Sequence, residues 1–395
     1  MLNSYKKMVF MIFLLHGFVN LQRELYINEI FSLFGCVILV AILARFKIQK
    51  DRPDYQILQL LIYGIILALV GSYFNKSGTI YEKLRTLPIL YSMACFYLGY
   101  YVLYDGSKRF YKSKFYSPFV TLFVIMGVLL GPKITYPAMY ALSFGGYRSR
   151  KVLYVLAFFI ILSMLFLKLH FLNDHHNDLT VIVALSILVS FFFFKPIYYR
   201  VFSNRKAPLF AFILLFFFLI LLKIIDSQWS DFYYYGNEYF SMLSDPNTIW
   251  RLMFWAKTVG ELSVYQWVFG IGLGTPIFDP SDPASTFIVM SDPNALHRPY
   301  TLGLHNSFIT FFVRFGLVGT LLLCCLLFNV FRKLSKSGCL HSEALILSLS
   351  FMITSALLNV VLESALYSGL FWSIVGICYA RAADCPRQGN SLWAN

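Results

Sequence analysis

Residues 305–331 read HNSFITFFVRFGLVGTLLLCCLLFNVF, and Arg314 is the one Asp, Glu, Lys or Arg among them. A helix needs about 20 mostly apolar residues to cross the hydrocarbon core of a bilayer, and this run supplies more. Working outward, similar apolar runs lie at 8–21, 27–44, 57–73, 87–104, 117–130, 134–146, 152–169, 179–194, 208–225, 344–362 and 364–380. The runs at 117–130 and 134–146 are short, and read either as two tilted spans or as one re-entrant pair. The chain of 395 residues is 58% apolar or aromatic and 13% charged, where a soluble domain carries about 25% charged residues. Mean hydropathy is +0.66. A water-soluble enzyme, a disordered chain and a disulfide scaffold are all excluded by that composition. The expected fold is an all-α polytopic membrane protein with about 12 transmembrane helices and one large extracytoplasmic loop. Its parts are an N-terminal bundle (1–225), the loop (226–304) and a C-terminal set of spans (305–395).

The formal charge of +14 would suggest a nucleic-acid partner if it lay on one face, but it is dispersed. With a cytoplasmic N-terminus and alternating spans, the inward segments carry most of the basic residues. These include Arg45, Lys47, Lys50 and Arg52; Lys108, Arg109, Lys112 and Lys114; Arg148, Arg150 and Lys151; Lys195, Arg200, Arg205 and Lys206; and Arg332, Lys333 and Lys336. That is the positive-inside pattern, with both termini cytoplasmic and no nucleic acid implied. The first apolar run has no small-residue cleavage site and reads as a retained span. The seven cysteines form no CxxC pair, so neither a zinc site nor a disulfide framework is expected.

The loop at 226–304 sets Arg251, Lys257 and Arg298 against Asp226, Asp231, Glu238, Asp245, Glu261, Asp279, Asp282 and Asp292. A long polar loop in a compact bundle is functional or disordered, and this one has internal order. Asp245-Pro246 is a helix start, an acceptor side chain followed by Pro at the first helical position. The helix is expected to continue through IWRLMFWAKTVGEL and to stop before Gly270. Arg251 and Trp255, four apart, share a face. This helix lies either at the membrane surface or as a packing helix in an extracytoplasmic cap. The following Phe269-Gly-Ile-Gly-Leu-Gly-Thr-Pro276 follows no strand and opens no helix, so it reads as a turn and not as a nucleotide loop.

His305 falls where the last long loop meets a span. Ile309, Phe312 and Gly316 lie at +4, +7 and +11 and form a stripe with it, while Gly316 and Gly319 permit close helix contact. The positive end of the helix dipole favours a neutral imidazole there, which suits a base; an interfacial His that is merely solvated is the alternative. Arg314 is expected about 13.5 Å below His305 and half a turn out of phase with it. An intramembrane charge points to function, and either a structural contact with backbone carbonyls or a bound lipid pyrophosphate would satisfy it. Glu363, in the hairpin between the last two spans, would orient an acceptor sugar or be an ordinary helix-end acid.

Residues 250–319 resemble the O-antigen ligase and O-antigen polymerase superfamily. The family hallmark is His-Asn, nine residues, then Gly-x-x-Gly, which here reads His305-Asn306-SFITFFVRF-Gly316-Leu-Val-Gly319. The preceding WRLMFW…FGIGLG resembles the family's Arg-bearing loop helix and glycine turn, and Asn359-Val-Val-Leu-Glu363…Phe371-Trp372 its closing pair of spans. The resemblance implies a multi-pass protein of the bacterial inner membrane with its large loop in the periplasm. It further implies transfer of undecaprenyl-pyrophosphate-linked glycan onto another repeat unit (polymerases) or onto lipid A-core (ligases). His305 would be the base that takes the acceptor proton; Arg251, with Arg298 as a second cation, would hold the pyrophosphate; Asn306, Arg314 and Glu363 complete the substrate-binding candidates. Because the leaving group is already activated, arginines can neutralise it without a metal or cofactor. Partners would be the lipid-linked donor, an acceptor glycan or lipid A-core, membrane lipid and a chain-length regulator. One departure stands out: the family's Ser/Thr-Arg pair at an earlier span has no counterpart in Leu172-Asn-Asp-His-His-Asn-Asp-Leu179, where His175, His176 or Lys168 would have to substitute. Polymerase is preferred over ligase. A transporter of similar span count would place its charges at the midplane and show repeated halves, which the chain does not.

Overall fold

The computed structural model describes residues 36–37, 53–74, 86–105, 200–201, 204, 206–228, 246–277, 304–337, 340–358, 361–363 and 365–384. Among them every regular element is helical and there is no strand. In chain order these are α1 (Pro53–Phe74), α2 (Pro88–Leu103), α3 (Ala207–Gln228), α4 (Pro246–Gly260), α5 (Val264–Phe269), α6 (Ser307–Ser337), α7 (Leu340–Leu358) and α8 (Ala365–Asp384). The expected spans at 8–21, 117–146, 152–169 and 179–194, the segment 172–179 and Arg298 lie outside the described residues.

Two helices, α3 and α6, are long and apolar enough to cross a membrane, while α1, α2 and α7 contain shorter apolar stretches. The two long helices differ in how they are covered: 67% of the most apolar stretch of α6 is buried, against 11% for α3. Leu209, Phe210, Leu214, Phe217 and Leu221 of α3 all point outward. An apolar outward face of that kind marks a surface that lipid or another protein segment covers.

The chain divides into two compact units. One comprises 1–57, 91–207 and 326–395. Its described core is the contact of α2 with α8, where small residues let backbones approach closely. A Cβ on Gly99 would come within 2.2 Å of the Ser373 carbonyl oxygen, and one on Gly376 within 2.2 Å of that of Phe96. The Ser373 hydroxyl donates to the Cys95 carbonyl at 3.3 Å. Phe96 packs edge-on against Tyr379, and Trp372 is fully buried. Where Gly99–Leu103 passes this contact, the helix widens into a π turn.

The other unit comprises 58–90 and 208–325. Its core joins Leu219 and Leu222 of α3, Met253, Phe254, Ala256 and Val259 of α4, and Ile309, Phe312 and Val313 of α6, with Leu262, Ile277 and Leu304 between them. Burying one face of α4 in this way supports the packing-helix reading of that segment. Asp226 lies against the Gly260 backbone, where a Cβ would come within 2.0 Å of its carboxylate oxygen. Lys223 donates to the Leu262 carbonyl at 3.5 Å and sits 5.6 Å from the centre of the Trp267 ring. The candidate site belongs to this unit.

Candidate active site

Asn306 is the N-cap of α6. Its side-chain oxygen accepts from the backbone N–H of Phe308 at 3.0 Å and of Ile309 at 3.1 Å, satisfying two of the donors that a helix start leaves open. Its own carbonyl accepts from the backbone and hydroxyl of Thr310, at 2.9 and 3.1 Å. The Thr310 hydroxyl oxygen in turn accepts from the Leu304 N–H at 3.2 Å. Asn306 is buried and His305 partly exposed. His305 therefore precedes the cap instead of sitting on the first turn, and the stripe expected to join it to Ile309 and Phe312 does not reach back that far.

His305 is the one non-glycine residue with positive φ among the described residues, at +52°. A left-handed backbone costs a side-chain-bearing residue about 1–2 kcal/mol. It persists where neighbours over-determine it, often at functional sites. The neighbours here do so: Leu304 is held at its N–H by Thr310 and at its carbonyl by the Trp255 indole N–H, and Asn306 is held by the cap. The imidazole is thus carried by one strained residue between two fixed ones, at the positive end of α6.

Trp255 belongs to α4, which begins at Pro246 as expected but ends at Gly260, before the boundary read from sequence. The reason is a capping box. The Ser263 hydroxyl oxygen accepts from the Gln266 N–H at 3.4 Å, and the Gln266 side chain accepts from the Ser263 N–H at 2.8 Å, which starts a separate helix, α5. Lys257 and Glu261 pair at 2.6 Å where α4 ends. Arg251 is half-buried one turn before Trp255. At that spacing the Cβ atoms are about 5–6 Å apart, so both side chains leave α4 from the face on which Trp255 reaches Leu304.

Beyond α5 the turn Gly270–Gly274 takes positive φ at each glycine, +81°, +78° and +82°. It docks onto a break in α6. Gly316, at φ +64° and ψ −170°, is not helical, so the carbonyls before it are released from the helical ladder. Val313 accepts from the Ile271 N–H at 2.8 Å, Arg314 from the Gly272 N–H at 3.1 Å, and Phe315 from the Tyr63 hydroxyl at 3.0 Å. The Gly274 N–H donates to the Thr86 hydroxyl at 2.8 Å. A Cβ on Gly316 would meet the Val268 carbonyl oxygen at 2.3 Å and the Gly270 nitrogen at 2.5 Å. The close contact at Gly316 is thus with the last turn of α5 and the start of the glycine turn that follows it. Gly319 is the glycine that approaches a neighbouring helix, at Tyr63.

Comparison with known proteins gives no match, neither to a family model nor to a curated protein nor to a solved structure.

Of the residues singled out from sequence, the structure brings His305, Asn306, Arg314 and the α4 face bearing Arg251 into one unit. Arg314 is 3% exposed and donates from its guanidinium to the Gly272 carbonyl at 3.2 Å and to the Thr275 carbonyl. Of its two expected roles, this is the structural contact. Glu363 is half-buried in the turn between α7 and α8, in the other unit. Among the described residues no three His, Cys, Asp or Glu side chains gather as a metal site would require. Trp255 is marked in the sequence only as sharing a face with Arg251, and Thr310, Tyr63 and Thr86 are not marked at all. The capping-box spacing of Ser263 and Gln266 was readable from local sequence, whereas Tyr63 and Thr86 act across gaps of 252 and 188 residues and leave no local signal.

Proposed function

We propose that this chain is a polytopic inner-membrane glycan transferase that moves an undecaprenyl-pyrophosphate-linked oligosaccharide onto an acceptor sugar hydroxyl, acting as a surface-polysaccharide polymerase. The observation that carries the reading is the holding of His305: strained, partly exposed, and locked between Trp255 on one side and the Asn306 cap on the other. Those contacts fix the backbone on either side of His305, and with it the point from which the imidazole projects. The reading also includes about twelve spans, cytoplasmic termini and a periplasmic 226–304 loop, supported by the apolar outer face of α3 and the basic residues of the inward segments.

In the proposed reaction the acceptor hydroxyl oxygen attacks the anomeric carbon as its proton passes to the neutral imidazole of His305. The bond from that carbon to the pyrophosphate oxygen breaks, and polyprenyl pyrophosphate departs with the electron pair. Attack opposite the leaving group inverts the anomeric centre. Arg251 meets the growing charge with a bidentate guanidinium contact.

The test is gel profiling of lipopolysaccharide and surface polysaccharide in a deletion strain complemented with wild type, His305→Ala or His305→Asn. Asparagine tolerates the left-handed backbone better than alanine does, so His305→Asn removes the imidazole with the turn retained. Lipid A-core bearing a single repeat in the deletion, uncorrected by either variant at normal abundance, is the expected result. Unsubstituted core with polymer accumulating on undecaprenyl pyrophosphate would make the protein a ligase instead. An unchanged profile would overturn the reading and favour transport, and full correction by His305→Asn would remove the base assignment.

A further inference from the structure

Arg314 is a charge buried in a stretch that reads as a membrane span, and such a residue calls for a task. Its guanidinium does not turn to solvent. It donates to the Gly272 and Thr275 carbonyls, while its own carbonyl accepts from the Gly272 N–H at 3.1 Å. Arg314 therefore grips both polar groups of Gly272, one with its side chain and one with its backbone. What it grips has particular need of holding, because three positive-φ glycines in a row of alternate positions make a segment with large conformational entropy when free.

The turn leads directly into the rest of the site. Gly270 caps α5 by donating to the Gln266 carbonyl at 2.7 Å. Trp267 of α5 packs edge-on against Phe312 of α6, ring centres 5.2 Å apart. Three residues separate α5 from α4, whose Trp255 reaches the Leu304 carbonyl. Both carbonyls are served by one terminal nitrogen, Nη1, whose two N–H bonds are fixed in the guanidinium plane, whereas the N–H bonds of an ammonium rotate on a flexible stem. We propose that Arg314 is a positioning residue: it latches the Gly270–Thr275 turn to the broken helix, and so holds α4 with Arg251 and Trp255 in place beside His305. This rests on the transferase reading for its purpose, though not for its geometry.

Three variants separate the latch from a direct role of the charge. Arg314→Gln keeps amide donors without charge, Arg314→Lys keeps charge without the fork, and Arg314→Met keeps neither. Hydrogen exchange would be followed by mass spectrometry over 270–276 on the full-length protein in lipid nanodiscs, alongside polymer formation in the complemented deletion strain. Exchange over 270–276 is expected to accelerate by about tenfold or more in Arg314→Met. Arg314→Gln and Arg314→Lys should fall between it and wild type, with polymer formation following turn protection across the series. Unchanged exchange in all three variants would overturn the latch. An active Arg314→Lys beside an Arg314→Gln that is inactive with a protected turn would assign the charge to substrate instead. If Arg314→Met does not accumulate, the Gln and Lys pair still decides. Should wild type form neither polymer nor capped core, the transferase reading fails, while the exchange series still decides whether Arg314 holds the turn.

Discussion

Replacing Gly316 by alanine tests the broken helix at the point where every outcome costs free energy. If α6 keeps its break, alanine must hold φ +64° and ψ −170°, a region almost confined to glycine, at about 1–3 kcal/mol. The new Cβ must also displace the Val268 carbonyl oxygen and the Gly270 nitrogen, both backbone atoms within 2.5 Å of it. If instead α6 straightens, the carbonyls of Val313 and Arg314 regain helical donors. The N–H groups of Ile271 and Gly272 then lose theirs, at about 1–3 kcal/mol for each one left buried without a partner. Either route lowers the local stability of the turn by about 2–4 kcal/mol. Exchange of the 270–276 amides should accordingly rise by about 30-fold to several hundredfold, since about 1.4 kcal/mol is a factor of ten. Gly64→Ala is the control, because its Cβ would press on the far ends of the Leu90 and Phe315 side chains, which have more freedom to shift than backbone. Equal exchange at 270–276 in Gly316→Ala, Gly64→Ala and wild type would refute the claim that the break exists to receive the turn.

Two further substitutions probe the α4 side of the site. Trp255→Phe keeps a ring in the core but deletes the N–H that holds the Leu304 carbonyl; the cost is about 0.5–1.5 kcal/mol, and polymer formation should fall with little change in abundance, while wild-type output would show that the contact does not position His305. Arg251→Lys keeps the charge and loses the guanidinium fork; its apparent KM for lipid-linked donor should rise, and a KM equal to wild type would remove the bidentate contact from the reaction.

Periodicity and composition made the helices legible because hydrocarbon burial imposes a simple rule on long segments, and α3 and α6 follow it. Asp245-Pro246 likewise announced the start of α4, since the start of a helix depends on a few adjacent side chains. The end of α4 depends on an equally local signal, the Ser263 to Gln266 capping box that starts α5. Other features could not be read in advance. The stripe drawn from His305 through Ile309 assumed an unbroken helix on both sides, yet the first link precedes the cap and the last, Gly316, breaks the helix. The spacing of His305, Gly316 and Gly319 falls on a positive-φ residue, a helix break and an approach to Tyr63, but a spacing carries no information about the distant chain that fills it. Tyr63 and Thr86 reach the turn and the break by tertiary placement alone.

The break at Gly316 also explains why an arginine can be stable at Arg314. In a continuous helix the Val313 and Arg314 carbonyls would be engaged within α6 and could not hold the glycine turn alongside the guanidinium. The break brings a second backbone segment alongside, the glycine turn, whose carbonyls at Gly272 and Thr275 face the guanidinium. Those carbonyls are available because positive-φ glycines turn the peptide planes away from any ladder of their own. Glycine at 316 and arginine at 314 are thus two halves of one solution: the first frees carbonyls for the turn's N–H groups, and the second supplies donors for the turn's carbonyls. The turn, which has no hydrogen-bonded structure of a regular kind, is satisfied largely by a helix that has given up its own regularity, with Thr86 taking the Gly274 N–H. The consequence for the site is rigidity at a place where sequence composition alone would suggest a loose loop, and that rigidity is what lets Trp255 reach the residue before His305.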